Sequence, residues 1–183
     1  AGSVGFPLPG IDLKITDPDT GIVVPQGGIG EIEVRGANVF QGYWNMPKKT
    51  AEELRTDGFF ITGDLARMDE DGYVTIVGRS KDLIISGGFN IYPKELEMIL
   101  NDQTGVLESA VIAVSHADMG EAALAILVGK GAGPNIDQIQ ALMKRDVARF
   151  KHPRDFIVLD KLPRNAMGKV QKNVLRETYA NWF

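Results

Sequence analysis

Ala122–Val128 is an unbroken run of seven apolar residues, and it constrains the fold more than any other feature of the chain. Side chains on a strand alternate between two faces, so an uninterrupted apolar strand is favoured only where both faces are covered. The run therefore reads as a central strand between two layers. Leu107–Val114 reads as its neighbour and Phe156–Leu159 as a third strand. Asn135, followed by Gln138 three residues later, resembles a capping-box start. Ile136, Ile139, Met143, Val147 and Phe150 then keep helical spacing to about residue 150. Upstream, Leu83–Ile85 and Phe89–Tyr92 flank Gly87-Gly88 as a hairpin. Pro93 opens a short helix with Leu96, Ile99 and Leu100 on one side, and a last helix covers about residues 173–179. The order is hairpin, helix, strand, strand, helix, strand, helix. It predicts an α+β domain of about 100 residues with a small sheet covered by helices.

Residues 1–78 read differently. Ile11–Ile15 and Ile29–Val34 are strands separated by the turn formers Asp17-Pro18-Asp19-Thr20-Gly21 and Pro25-Gln26-Gly27-Gly28. One helix, about 47–55, begins at Pro47, and Asp69–Gly72 turns a hairpin between Leu65–Met68 and Tyr73–Val77. The start of the chain has no initiator Met and no signal-peptide pattern, and reads like the middle of a longer protein.

The absence of cysteine excludes disulfides, thiol nucleophiles and thiolate metal sites, which suits a cytoplasmic protein. No run of about 18 apolar residues suggests a membrane-spanning helix. Residues 1–139 carry 10 Lys and Arg against 20 Asp and Glu, whereas residues 140–183 carry 10 against 4. A basic segment on an acidic chain points to a local anionic ligand rather than to nucleic acid. His116 and His152 have no suitably spaced partners, so no metal site is expected.

Four short segments carry candidate chemistry, and each has a plain structural reading beside the functional one. Gly168-Lys169 lies in Pro163–Lys172, a loop before a helix; it is not a P-loop, since Pro163 and Val170 stand where Gly and Ser or Thr are required. A Lys on a glycine-flexed loop is a mobile charge for a phosphate or oxyanion, or simply a surface charge. Asp64 in Thr62-Gly63-Asp64 sits at a strand end where it could accept from a ribose diol, or form an Asx-turn or helix cap. Gly78-Arg79-Ser80-Lys81-Asp82 lies where the sequence period changes, as a hinge or an ordinary charged linker. Ser86-Gly87-Gly88 permits close approach of a ligand to the backbone, but a hairpin turn needs no ligand.

Taken in chain order, Thr62–Leu65, Gly78–Asp82, Ser86–Glu97 and Pro163–Lys169, with Gly36–Trp44 upstream, together resemble the adenylate-forming superfamily, which includes acyl-CoA synthetases and peptide-synthetase adenylation domains. Asp57–Asp64 and Asn165–Lys172 look most like malonyl-CoA synthetases. The resemblance implies activation of a carboxylate with Mg-ATP to an acyl-adenylate, then transfer to coenzyme A. By the same resemblance Lys169 is catalytic and contacts the α-phosphate, while Asp64 and Arg79 bind the nucleotide. Lys81 is the hinge, and Ser86, Gly87 and Gly88 line the CoA channel. Arg149, Lys151 and Arg154 are candidate partners of the CoA phosphates. The implied organisation is the β-rich end of a large N-terminal domain (1–78), a hinge (79–82) and a mobile C-terminal catalytic domain (83–183). The phosphate loop, Mg2+ site and acyl pocket of the family lie upstream of these motifs, so this piece alone is expected to be inactive. A carrier-protein-dependent adenylation domain, or a non-catalytic module retaining the fold, would share many of the same motifs.

Overall fold

The computed structural model describes residues 3–183. It divides into two compact units, the first ending at Lys81 and the second spanning Asp82–Phe183.

The first unit is a five-stranded antiparallel sheet: β1 (Ser3–Gly5), β2 (Ile11–Thr16), β3 (Gly30–Gly36), β4 (Phe60–Met68) and β5 (Val74–Arg79), in the order β1-β5-β4-β3-β2. The helix α1 (Pro47–Glu53) interrupts it, with Pro47 in its first turn. Alternation sorts the side chains. Ile15, Ile32, Ala66 and Val74 form the apolar cluster of this unit. On β3 the residues between those core positions include Glu31 and Glu33, with Lys14 of β2 directly opposite Glu33.

Glu33 is fully buried, an unusual place for a carboxylate, and it is fully engaged. Arg55 donates to both of its oxygens at 2.7 Å, Thr16 Oγ1 donates to Oε1 at 2.7 Å, and Lys14 Nζ lies 3.1 Å from Oε2. Burial pushes its pKa upward, but the hydrogen bonds from Arg55, Thr16 and Lys14 outweigh this, and the net direction is below the usual glutamate range.

The second unit carries the other sheet: β6 (Ile84–Ser86), β7 (Phe89–Ile91), β8 (Val106–His116), β9 (Gly120–Gly129) and β10 (Asp155–Leu159). β9 is central. It pairs antiparallel with β8 along its length, parallel with β10, and at Gly120 with β6, which closes a short hairpin with β7. Ala123, Ala125 and Leu127 pack in a cluster with Leu96 and Leu100 of α2 (Pro93–Asn101) and Ile139 and Met143 of α3 (Ile136–Asp146). Leu124, Ile126 and Val128 pack in a second cluster with Leu162 and Leu175, the latter from α4 (Lys172–Thr178). Both faces of β9 are covered, so every residue from Ala122 to Val128 is buried. The α+β architecture expected from the sequence is the one observed.

Asn135 caps α3 by accepting from the Gln138 N–H at 3.1 Å. The helix is shorter than its apolar spacing suggests. It ends at Asp146, and Val147 is extended (φ −120°, ψ 139°). Phe150, expected on the helix, instead belongs to a separate turn at Arg149–Lys151 and stacks on Phe89, with ring centroids 4.7 Å apart. The periodicity persisted by coincidence: Val147 packs beside the core while Phe150 serves another surface. Among the described residues no helix is long and apolar enough to cross a membrane.

Candidate functional site

In the first unit Asp64 lies inside β4, not at a strand end as its sequence context suggests. What sets it apart is a bulge. Glu31 and Glu33 of β3 pair with Leu65 and Ile61, so Thr62-Gly63-Asp64 stands opposite the single residue Ile32. Gly63 has φ +71°, a value that a β-carbon would strain. The bulge brings Asp64 against the end of β5, where Arg79 is its cross-strand partner and Arg79 Nε lies 2.8 Å from Asp64 Oδ1. Arg79 Nη1 also donates to the Thr62 carbonyl at 3.1 Å. Asp64 therefore forms neither an Asx-turn nor a helix cap. Its Oδ2 has no hydrogen-bond partner among the described residues, and an ionised carboxylate can accept from two hydroxyls. Lys81 is exposed within a short turn, Ser80–Asp82, at the end of this unit.

In the second unit Gly87 and Gly88 form the two-residue turn of the β6–β7 hairpin, with φ +56° and +81°. Two successive positive values define the type I′ turn, which glycine occupies without strain. The Gly87 N–H donates to the Met119 carbonyl at 2.9 Å, which ties the turn to the β8–β9 connection. Ser86, Gly87, Phe89, Arg149, Phe150 and Arg154 are among the residues lining a cleft of about 730 Å³. Gly88 is not among its lining residues.

The basic C-terminal segment is less available than its charge count suggests. Arg145, Lys151, Arg164, Lys172 and Arg176 pair with Asp146, Glu95, Glu108, Glu97 and Asp82. Half of its ten cations are thus neutralised within the unit. Lys151 in particular lies 2.7 Å from Glu95, which removes it from the cations free to meet a phosphate; Arg149 and Arg154 remain exposed in the cleft.

Lys169 is exposed and has no ion pair among the described residues. Its loop is not glycine-loosened, as the sequence suggests, but a closed hairpin. Arg164 and Val170 form a β-bridge, the Asn165 N–H donates to the Lys169 carbonyl at 3.0 Å, and the Gly168 N–H donates to the Asn165 carbonyl at 2.9 Å. Gly168, at φ +78°, makes the reversal possible. Among the described residues no group of three or more His, Cys, Asp or Glu could hold a metal ion.

The α+β architecture of this chain matches the C-terminal fold of adenylate-forming enzymes. Residues 1–44 match the AMP-binding enzyme family model, and residues 95–169 match the model of the AMP-binding enzyme C-terminal domain. The chain belongs to this family, as part of its C-terminal region. ATP-bound MatB from Rhodopseudomonas palustris is 55% identical, with a TM-score of 0.92, over 99% of this chain and 36% of that one. A methyl-dioxo-octahydroindenyl-propanoyl:CoA ligase of Rhodococcus jostii is 45% identical over 94% of this chain and 32% of its own length. Malonate–CoA ligase of Arabidopsis thaliana is 36% identical over 99% of this chain and 31% of its own. The chain thus spans about a third of the length of the curated relatives it matches.

Proposed function

We propose that this chain is the C-terminal part of an AMP-forming acyl-CoA synthetase whose substrate is a small dicarboxylate, malonate. The observation that carries the reading is Lys169, an ammonium with no ion pair among the described residues at the closed 164–170 hairpin, in a chain 55% identical to an ATP-bound relative over 99% of its own length. Malonate is supported by the likeness to malonate–CoA ligase and by the motif sequences Asp57–Asp64 and Asn165–Lys172. The reading includes a cytoplasmic location, where ATP and CoA are supplied.

In the first step a carboxylate oxygen attacks the α-phosphorus of ATP, the bond to the bridging oxygen breaks, and pyrophosphate leaves. Negative charge builds on the non-bridging oxygens, and the Lys169 ammonium is placed to stabilise it. Asp64, oriented by Arg79, accepts from the ribose hydroxyls. In the second step the CoA sulfur, its proton lost to solvent, attacks the acyl carbon, and the carbon–oxygen bond to AMP breaks. The cleft beside Ser86 and Gly87 suits CoA: the backbone turn admits a narrow arm, the Phe89–Phe150 stack offers an aromatic face, and Arg149 and Arg154 offer phosphate partners.

We also propose residues 1–78 as the end of the large domain, 79–82 as the hinge and 83–183 as the mobile domain. Lys81→Pro tests this in the full-length enzyme. Proline fixes φ near −65°, so the thioester step should slow more than adenylation. Equal losses in the two half-reactions would count against a hinge. The substrate is tested by comparing ATP- and CoA-dependent thioester formation with malonate, acetate and medium-chain fatty acids. Preference for a monocarboxylate would reject malonate while leaving the reaction class intact.

A further inference from the structure

The Gly168–Lys169 peptide unit is held by side chains at both of its polar atoms. Its carbonyl, on Gly168, accepts from Arg164 Nη1 at 2.5 Å. Its N–H, on Lys169, donates to Asn165 Oδ1 at 3.0 Å, and the same oxygen accepts from the Met167 N–H at 3.0 Å. Arg164 is in turn fixed from outside the hairpin, because its Nη2 pairs with the Glu108 carboxylate of β8. β8 is the long neighbour of the buried central strand, so the chain of contacts runs from a rigid part of the sheet to the backbone of the catalytic lysine.

We propose that Arg164, oriented by Glu108, and Asn165 are positioning residues for Lys169. The inference rests on the catalytic reading of Lys169 given above. A lysine ammonium sits at the end of a flexible four-carbon stem, so a small rotation of the peptide plane at its root is magnified at Nζ. Gripping both the carbonyl and the N–H of that peptide sets the direction in which the stem leaves the hairpin. The arrangement is suited to direction more than to stability. Arg164 is 44% and Glu108 25% exposed at the side chain, and an ion pair this accessible to water contributes little to folding. Loss of the grip should therefore lower the rate while leaving the fold in place, a separation that a structural ion pair would not produce.

Arg164→Met and Asn165→Ala in the full-length enzyme should each lower kcat for pyrophosphate exchange by roughly 10–100-fold, the usual cost of misplacing a reacting group. KM for ATP should change little, and thioester formation from supplied acyl-adenylate should be unaffected. Arg164→Lys, which keeps the charge but offers a single head group for two partners, should fall between wild type and Arg164→Met. If Glu108 acts only through Arg164, then Glu108→Gln combined with Arg164→Met should be no slower than Arg164→Met alone. A readout independent of chemistry comes from the 183-residue chain: amide exchange at Lys169 should quicken in Asn165→Ala while the amides of Ala122–Val128 keep their protection. Unchanged exchange at Lys169 would show that the peptide is not held by Asn165 and would overturn the proposal. Lys169→Ala runs beside these variants as the reference. Should it slow pyrophosphate exchange while Arg164→Met does not, the positioning role alone fails. Should Lys169→Ala leave exchange unchanged, the catalytic reading fails and takes this inference with it.

Discussion

Replacing Lys169 with alanine in the full-length enzyme should reduce adenylation by roughly 10²–10³-fold, the usual cost of removing one preorganised charge contact from a transition state. Transfer to CoA from a supplied acyl-adenylate should proceed near the normal rate. The ammonium has no carboxylate partner among the described residues, so its charge is available to a ligand, and it stands on a hairpin closed by backbone and Asn165 hydrogen bonds. Lys169→Arg should recover little, because a planar guanidinium cannot occupy the place of a compact point charge on the same stem. The two half-reactions are measured separately, by pyrophosphate exchange and by thioester formation. Parallel loss in both would assign Lys169 to binding or folding instead.

The second large effect concerns stability and lies in the first unit. Glu33→Ala should destabilise the β2–β3 region by about 3 kcal/mol, the lower end of the range for breaking a buried ion pair. The lower end applies because Arg55 and Lys14 keep 37% and 24% of their side chains exposed and can rehydrate, whereas Thr16 is left buried without its acceptor. Glu33→Gln keeps an acceptor and should cost less. The network also sets a pH dependence. The folded pKa of Glu33 is depressed, so its contribution is complete above the ordinary glutamate range and is lost as the pH falls through about 4 and below. Hydrogen exchange at the amides of Ile11–Thr16 and Gly30–Gly36, in wild type and Glu33→Ala at neutral and acid pH, reads both effects. Equal protection in the two proteins at neutral pH would contradict them.

The second unit was legible because its signals are local and agree with one another. The apolar run Ala122–Val128 demanded cover on both sides, and the two clusters that share β9 supply it. Gly87-Gly88 between short apolar runs is sequence enough for a type I′ hairpin, and Asn135 with its cap needs only three residues of context. Where the helix α3 stops was not legible, since Phe150 keeps helical spacing from Met143 and its true partner, Phe89, is sixty-one residues away in sequence.

The candidate residues were legible as motifs, but their environments were not. Asp64 looked like a strand end because Gly63 interrupts the strand pattern; the glycine in fact marks a bulge within β4. The pairing of Lys151 with Glu95 and of Arg164 with Glu108 joins residues fifty-six positions apart, beyond any local rule. The Glu33 network left a faint trace. In Lys14, Thr16, Glu31 and Glu33, polar residues alternate with the apolar positions of two adjacent strands, which points to a polar face without saying that it is buried.

The central claim, that the full-length enzyme activates a carboxylate as its adenylate, is tested most directly by following oxygen. Malonate labelled with heavy oxygen in its carboxylates is incubated with the enzyme, ATP and CoA, and the phosphorus-containing products are analysed by mass spectrometry. Attack on the α-phosphorus leaves one carboxylate oxygen on that phosphorus when the thioester forms, so the label must appear in AMP and not in pyrophosphate. Label in orthophosphate accompanied by ADP, or thioester formation with no label in AMP, would contradict the account.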